Sequence, residues 1–259
     1  MPRIVAMLTD FGLQDGYVAE MRGVVMSHDF EMRLGDITHE IAPQDVRGGA
    51  YVLSTVIKRF PQGTVYLCVV DPGVGTARRP IVVRHRLGTF VGPDNGLFTP
   101  ILGEDVAEVV EIVPERLGAV DVSRTFHGRD LFAPAAARAA VGEPIHCLGN
   151  VVTDPIVLQG WDLVASGDGI KGRVLHIDRF GNALTNIPEQ ALEGRKGVLV
   201  KAGEHQLDDV AKTYGDVAQG QWLALFGSQR TLELSIIGGN AAETLDIRPG
   251  DSVSVSWEG

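Results

Sequence analysis

Residues 46–75 read VRGGAYVLSTVIKRFPQGTVYLCVVDPGVG, and this stretch decides the fold. In its first half, apolar residues recur every three or four positions, which predicts an amphipathic helix that ends before Pro61. The following run, Thr64–Val70, is apolar and rich in β-branched residues, which is typical of a strand. A polar, glycine-rich loop then begins at Asp71. Helix, strand and polar loop in this order predict one unit of a parallel α/β sheet.

The residues on either side continue this alternation. The apolar run Ile4–Leu8 predicts a first strand, and Asp15 is the predicted N-cap of a helix that reaches about Ser27. We therefore expect residues 1–160 to form a mainly parallel sheet with flanking helices. The further elements predicted there are strands at 81–84 and 89–92 and an alanine-rich helix at 131–140.

The pattern changes between residues 150 and 172, where glycine, proline and asparagine are frequent, and we place a linker there. Short strands separated by turns follow, and this spacing predicts a β-barrel-like domain at 170–259. The expected fold is thus α/β, with an N-terminal α/β domain and a C-terminal β-barrel-like domain. The predicted strands of the second domain are 173–177, 183–187, 197–201, 222–226, 231–236 and 252–257.

The composition argues against several classes of function. The chain has 259 residues, 44% hydrophobic and 22% charged, as in a soluble globular protein. Its 23 basic and 33 acidic residues give a net charge of −10, which disfavours nucleic acids and anionic membranes as partners. It has no apolar run of about 20 residues and no signal-peptide pattern, so we expect a cytoplasmic protein. We interpret Cys68 and Cys147 as reduced, buried small hydrophobes.

Three polar clusters lie where ligands bind in parallel α/β sheets, near predicted strand ends or helix starts. They are TDFG at 9–12, DPGVGTAR at 71–78 and FHGRD at 126–130. Each has an ordinary structural alternative: Asp10 can cap a turn, Asp71 can begin one, and His127 can be a structural histidine. The functional interpretation depends on their concurrence, because the topology can bring all three clusters to one edge of the sheet.

Motifs of metal and nucleotide enzymes are absent from the sequence. Residues 73–78, GVGTAR, resemble the dinucleotide motif GxGxxG, but an arginine takes the sixth position and a strand follows instead of a helix. There is no P-loop, no HExxH, no GxSxG and no close histidine pair. We therefore expect no metal and no cofactor.

Six short motifs occur in order: TDFG at 9–12, DPGVGT at 71–76 with Arg78-Arg79, PDNGL at 93–97, FHGRD at 126–130, DRFGN at 178–182 and GNAA at 239–242. With them the chain resembles, over essentially its whole length, the S-adenosylmethionine hydroxide adenosyltransferases, hydrolases related to the fluorinating and chlorinating enzymes. The resemblance implies a homotrimer whose ligand lies between the N-terminal domain of one subunit and the C-terminal domain of the next. The implied reaction is attack of water at the ribose C5′ of S-adenosyl-L-methionine, giving adenosine and L-methionine.

The resemblance also implies a triad that handles the water. Asp71 would hydrogen-bond the water, and Arg78 would orient Asp71 and favour a hydroxide-like nucleophile. His127, which ordinarily titrates near neutrality, would accept or relay the proton. Which of Asp71 and His127 takes the proton stays open at this stage.

Further residues are implied to bind the substrate. Asp10 would accept hydrogen bonds from the two ribose hydroxyls, because a carboxylate offers two acceptor oxygens, and Tyr17 would line the same pocket. Asp178 would meet the methionine ammonium, and Ser228 the methionine carboxylate.

The adenine is implied to lie against four residues of the second domain. Phe180 would offer an apolar face, while Asn182, Asn240 and Ala241 would read the adenine edge. Phe180 has core packing as its structural alternative, and Asn182 a turn.

Two other classes of function remain open. A halide-using, chlorinase-like adenosyl transferase is one, but the halogenating relatives carry tyrosine and threonine where this chain has Asp71 and Val74, and tyrosine and serine where it has His127 and Gly128. A carboxylate at position 71 would repel a halide. The other is a non-catalytic adenosine or S-adenosylmethionine binding protein, which would release no adenosine.

Overall fold

Two β-sheets organise the chain, one in each of two units, Met1–Leu158 and Gln159–Gly259. The computed structural model describes residues 3–119 and 121–258. Across these residues, no helix has both the length and the apolar character needed to cross a membrane.

The N-terminal sheet is mainly parallel, as expected. Its strand order is β2-β1-β3-β5-β4-β6-β7. Strands β1, β2, β3 and β5 are joined by parallel pairings, whereas β4 runs antiparallel to both β5 and β6, and β7 antiparallel to β6. The strands are β1 (Ile4–Thr9), β2 (Arg33–Thr38), β3 (Thr64–Val69), β4 (Pro80–His85), β5 (Gly88–Pro93), β6 (Val106–Ile112) and β7 (Gly149–Val151).

Strand β2 was not predicted from the sequence. Its residues, RLGDIT, are all exposed or half-buried, so no apolar alternation marks the strand. It forms the edge of the sheet and pairs in parallel with β1.

Three helices accompany this sheet: α1 (Tyr17–His28), α2 (Val46–Val56) and α3 (Ala133–Ala140). The predicted N-cap at Asp15 is wrong, because Gly16 is the N-cap of α1 and no side chain caps the helix. Helix α2 ends at Val56, before the predicted end near Phe60. The β-branched residues at 55–57 lower helix propensity there.

The core of this unit lies between the sheet and helices α1 and α3. Val65, Leu67 and Val69 of β3 belong to the same buried cluster as Met21 of α1 and Ala136 of α3. All six residues of β3 are buried, as expected of a strand covered on both faces. The strand therefore fixes the position of the loop that follows it.

The two cysteines differ in their environments. Cys68 is buried in β3, whereas Cys147 is exposed, so the expectation that both are buried is wrong for Cys147. Cys147 ends a short 3-10 turn, Ile145–Cys147, in which only Ile145 is buried. A turn of three residues gives the cysteine no covering layer.

The C-terminal sheet is antiparallel and barrel-like, as expected. Its order is β12-β11-β15-β9-β10-β14-β13, with β8 beside β9, and a short helix, α4 (Ala241–Thr244), follows β14. The strands are β8 (Val164–Ser166), β9 (Gly169–Ile177), β10 (Ala183–Pro188), β11 (Leu199–Ala202), β12 (His205–Leu207), β13 (Trp222–Phe226), β14 (Thr231–Ile236) and β15 (Ser252–Ser256).

Strand β8 and the start of β9 occupy part of the stretch expected to be a linker. A Cβ atom at Gly172 would overlap the side chains of Asn186 and Ile187 on the neighbouring strand. This glycine therefore allows β9 and β10 to approach closely and does not make a linker flexible.

Candidate active site

Three loops meet at the carboxyl edge of the parallel strands. Asp10 follows β1 and Asp71 lies just beyond β3, and these strands are paired with Thr9 opposite Val69. Paired strands lie about 4.8 Å apart, so the first two loops start side by side. The third loop joins them at Gly128, where a Cβ atom would stand 3.5 Å from the Phe11 ring.

Asp71, Arg78 and His127 form a hydrogen-bonded chain. The Arg78 Nε donates to both carboxylate oxygens of Asp71, at 2.9 and 3.0 Å, and its Nη2 also donates to Asp71 Oδ2. The same Nη2 lies 2.8 Å from His127 Nδ1. The Asp71 and Arg78 side chains are only 5% and 8% exposed, so the ion pair is buried. The structure thus brings together the three residues of the expected triad.

The Arg78 contact decides which nitrogen of His127 carries a proton. A guanidinium only donates hydrogen bonds, so His127 Nδ1 must accept and is unprotonated. The neutral ring therefore carries its proton on Nε2. Burial lowers the pKa of His127 and the charge of Arg78 lowers it further, against the smaller opposing effects of Asp71 and Asp130. His127 is thus neutral at pH 7 and presents Nε2–H as a donor.

Arg78 has one further donor in this site. Its Nη1 is buried and has no hydrogen-bond partner within residues 3–119 and 121–258. The Phe132 ring supports the guanidinium from one side, with 5.1 Å between the Arg78 Cζ and the ring centroid. A buried donor without a protein partner usually marks the position of a bound water, ion or ligand group.

A π-helical turn, Gly128–Phe132, follows His127 directly and continues into α3. Its last residue is the Phe132 whose ring packs against the Arg78 guanidinium. The Ala133 N–H donates to the Gly128 carbonyl, a bond that spans five residues. Such turns are often found at functional sites.

Asp10 and Tyr17 lie in the same unit as the triad. The backbone N–H of Gln44 donates to Asp10 Oδ2 at 2.8 Å, which fixes the carboxylate beside the edge of β1. The Tyr17 ring contacts the rings of Phe11 and Phe126, with centroid distances of 5.9 and 5.2 Å. Since Phe126 precedes His127, this aromatic cluster connects the Asp10 loop to the triad.

The predicted residues of the C-terminal unit, apart from Ser228, lie on two touching turns. Asp178 Oδ1 accepts from the backbone N–H groups of Phe180 and Asn182, both at 2.9 Å, and Asp178 Oδ2 accepts from Asn182 Nδ2 at 3.0 Å. Phe180 is 77% exposed, so core packing is not its role. Asn182 is buried and keeps its Oδ1 as an acceptor.

Asn240 and Ala241 form the second turn. Asn240 Oδ1 caps α4 by accepting from the Glu243 N–H at 3.0 Å, and Ala242 N donates to the Gly181 carbonyl at 2.9 Å. Gly181 has a φ of +84°, and a Cβ there would overlap the Asn240 side chain. Ser228 stands apart from both turns, in the exposed turn between β13 and β14.

Sequence reasoning gave no role to the second arginine of its motif. Arg79 pairs with buried Asp94, at 2.6 Å, and with Asp154, also at 2.6 Å. Asp94 Oδ1 also accepts from Ile156 N at 2.8 Å. This cluster fastens the 154–156 segment to β4 and β5. The signal was present in the sequence as the motifs RR at 78–79 and PDNG at 93–96.

No three histidine, cysteine, aspartate or glutamate side chains of the described chain come together in an arrangement that could hold a metal ion. The expectation of a reaction without metal or cofactor stays a prediction.

Comparisons with known proteins place the chain in one family. Residues 5–149 match the SAM hydroxide adenosyltransferase N-terminal domain, and residues 172–254 match the C-terminal domain of the same family. A protein of Thermus thermophilus named (R)-S-adenosyl-L-methionine hydrolase is 40% identical, covering 96% of this chain and 97% of its own. A crystal structure of an uncharacterized conserved protein from Thermotoga maritima superposes with a TM-score of 0.88 at 36% identity, covering 97% of this chain and 99% of its own. A fluorinase of Nocardia brasiliensis is more distant, 27% identical over 97% of this chain and 96% of its own.

Proposed function

Because the chain belongs to the SAM hydroxide adenosyltransferase family, we propose that it is an enzyme that hydrolyses S-adenosyl-L-methionine to adenosine and L-methionine. The observation that carries this proposal is the buried chain Asp71–Arg78–His127, which offers both an acceptor and donors to one water molecule. A protein that only binds the substrate has no use for such a group.

The reaction is a single displacement at the ribose C5′. The water oxygen forms a bond to C5′ while the C5′–S bond breaks. The electron pair of the C5′–S bond goes to sulfur. Methionine leaves as a neutral thioether, which makes the sulfonium an excellent leaving group. One water proton is released overall, so the site must hold the water in line and accept a proton.

The triad divides these tasks between its members. His127 donates from Nε2 in its neutral form and therefore does not take the proton from the water through that atom. Asp71 is the one member with acceptor oxygens, so it receives the proton of the attacking water. The free Arg78 Nη1 and His127 Nε2–H stabilise the hydroxide-like oxygen that develops.

The binding residues keep the roles that the resemblance implies. Asp10 accepts from the ribose hydroxyls, with Tyr17 beside it. Phe180 stacks on the adenine, and the exposure of its ring is consistent with this role. The adenine edge meets Asn182, Asn240 and Ala241. The methionine end meets Asp178 and Ser228.

The configuration at sulfur is part of the proposed specificity. The Thermus thermophilus relative is named for the (R) substrate, with L-methionine specified separately. In such a name the (R) descriptor refers to the sulfonium, which is a stereocentre because it carries three different substituents and a lone pair. We infer that this chain also acts on the (R) sulfonium.

We further propose that the enzyme is a cytoplasmic homotrimer and uses no cofactor. In this assembly the Asp10 and triad loops of one subunit close around the substrate with the Asp178 and Asn240 turns of the next. Equilibrium sedimentation of the purified protein measures the assembly. A stable monomer with full activity would contradict the shared site.

The experiment that tests the function is chromatography of the products formed from each sulfonium epimer. Adenosine and methionine are expected from the (R) epimer, at a rate well above that from the (S) epimer. Methylthioadenosine, a 5′-halogenated nucleoside or unchanged substrate would each rule out the proposed hydrolysis. Arg86 lies in the turn between β4 and β5, outside the proposed site, and pairs with Asp105. Arg86→Gln therefore serves as a control that should retain the activity.

A further inference from the structure

His39 is a buried histidine that the proposed reaction does not use. It follows β2 directly, and its side chain is only 1% exposed. The register between β1 and β2 skips Ile37, so β2 has one residue more than β1 just before this histidine. Such irregularities re-aim side chains and are frequent beside active sites. This one precedes a direct contact between His39 and Thr9, the last residue of β1 before Asp10.

The His39 ring joins Thr9 to Asp36. Its Nδ1 lies 2.8 Å from Thr9 Oγ1, and its Nε2 lies 3.1 Å from Asp36 Oδ1. Thr9 is fully buried, and its Oγ1 also accepts from the Phe11 N–H at 3.3 Å. A backbone N–H only donates, so within the described part of the chain His39 Nδ1 is the acceptor for the Thr9 hydroxyl proton. The ring therefore accepts at Nδ1 and donates from Nε2 to Asp36.

Asp36 holds the other side of the ring. Its Oδ2 accepts from Arg22 of α1, so a chain of hydrogen bonds runs from α1 through β2 to the end of β1. Burial alone would raise the pKa of Asp36, but hydrogen bonds from Arg22 and His39 outweigh it and hold the pKa below its ordinary value. The carboxylate is therefore ionised at neutral pH and accepts from His39 Nε2–H. The edge strand β2 thus carries the group that orients His39.

The segment after β2 also holds the Asp10 loop through its backbone. The Gly12 N–H donates to the His39 carbonyl at 2.8 Å, and the Gln44 N–H donates to Asp10 Oδ2 at 2.8 Å. Gln44 has a φ of +67°, a left-handed conformation that a residue with a side chain seldom adopts. Such strain persists only where the surrounding structure requires it. Asp10 is thus held through Thr9 before it, through Gly12 after it and at its own carboxylate.

We propose that His39 is a positioning residue for the ribose site. By accepting from the Thr9 hydroxyl and from the Gly12 N–H, it fixes the backbone on both sides of Asp10. The Asp10 carboxylate then stays in one place to accept from two adjacent hydroxyls. The inference rests on the proposed function, because it takes the ribose hydroxyls as the groups that Asp10 binds. It makes the preference for a ribose over a deoxy sugar depend on a buried histidine that acts only through Asp10.

The test measures, by titration calorimetry, the affinities for adenosine and for 2′,3′-dideoxyadenosine, which lacks both hydroxyls. Thr9→Val keeps the shape of the side chain and removes its hydroxyl, and His39→Leu removes the acceptor of that hydroxyl. We expect each variant to bind adenosine about five- to tenfold more weakly and to bind the dideoxy nucleoside within about twofold of the wild type. Thr9→Ser retains the hydroxyl and should restore the wild-type affinity. The double variant should bind adenosine about as weakly as His39→Leu alone, because both changes remove the same hydrogen bond.

Thr185 of β10 provides a matched control in the other unit. Its fully buried hydroxyl donates to the Leu232 carbonyl at 2.7 Å and accepts from the Ile187 N–H at 3.1 Å. Thr9 has the same local arrangement, because it too accepts from the N–H two residues further on. Thr185→Val should therefore lower the free energy of unfolding about as much as Thr9→Val, as urea denaturation measures, and leave both affinities unchanged.

The outcomes separate the inference from the function. Equal weakening of both nucleosides, an unchanged affinity of Thr9→Val for adenosine, or a wild type without preference for adenosine would overturn the positioning role. If His39→Leu does not fold, the comparison of Thr9→Val with Thr9→Ser decides alone. A wild-type protein that binds adenosine with this preference but releases none from S-adenosyl-L-methionine would contradict the proposed function instead.

Discussion

Arg78 donates a hydrogen bond to His127 Nδ1 across 2.8 Å, and this contact places the proton of the neutral imidazole on Nε2. In the proposed reaction, a histidine held in this way donates a hydrogen bond to the reacting water and is not its base. The proposed proton acceptor is then Asp71, and this difference makes the two residues distinguishable by mutation and by pH.

Removing a member of the triad is expected to lower turnover more than affinity. Asp71→Asn and His127→Ala should each reduce kcat about 100-fold or more, with KM changed by less than threefold, because both residues act on the water and not on the adenosyl group. Steady-state kinetics with adenosine detection measures this. His28→Ala, at the exposed end of α1, is the control and should retain full turnover. A rise in KM at unchanged kcat would identify the two residues as binding groups.

Acid should inactivate the enzyme through His127. Its pKa is lowered by burial and by Arg78, so kcat/KM should be constant near neutrality and fall with a midpoint below about 6.5. The free energy of unfolding should also decrease in acid. The stability that neutral His127 contributes is complete above a pH of about 6.5 and decreases as the pH falls towards the lowered pKa. A pH–rate profile in which activity rises on acidification would refute this assignment.

Loss of the Asp10 carboxylate should weaken substrate binding. Asp10→Ala removes the acceptors for both ribose hydroxyls and is expected to raise KM about 10- to 100-fold, with a smaller effect on kcat. Asp15→Ala, in the same loop and exposed, is the matched control with unchanged KM. Unaltered KM in the Asp10 variant would remove this residue from the ribose site.

The oxygen of the solvent should appear in adenosine. In water enriched in oxygen-18, attack at C5′ puts the label on the adenosine 5′-hydroxyl and none on methionine. Mass spectrometry of the separated products reads this directly. Excess chloride should give no 5′-chloro nucleoside, since the buried Asp71 carboxylate repels an anion. Unlabelled adenosine would exclude water as the nucleophile.

The Arg79–Asp94 cluster should contribute to stability and not to chemistry. Asp94→Ala leaves Arg79 without its buried partner and removes the acceptor of Ile156 N–H, which should lower the free energy of unfolding by about 3 kcal/mol. Urea denaturation measures the loss. We expect kcat of the folded variant to stay within threefold of the wild-type value, and a much larger decrease would assign the cluster a part in catalysis.

The sequence predicted the parts of the fold that local pattern controls. Strand β3 was predictable because its residues are apolar throughout, whereas β2 was not, since an edge strand without alternation resembles a loop. The predicted N-cap of α1 was wrong because an aspartate near the start of a helix does not always reach the free N–H groups of that helix. The exposure of Cys147 depends on tertiary packing that no local pattern records.

The candidate site was predictable only as a set of loops. Adjacent parallel strands bring Asp10 and Asp71 together by topology alone. The bond between Arg78 and His127 joins residues 49 positions apart, so its donor and acceptor roles required coordinates.

The π-helical turn after His127 makes the length of this segment as important as its composition. The turn accommodates one residue more than an α-helical turn between His127 and the start of α3. Deleting a single residue there would restore α-helical spacing and rotate everything on one side of the deletion by about 100° relative to the other. Either His127 would leave Arg78 or Phe132 would leave the guanidinium that it supports. Homologues that share this chemistry should therefore accept substitutions within the turn far more readily than insertions or deletions.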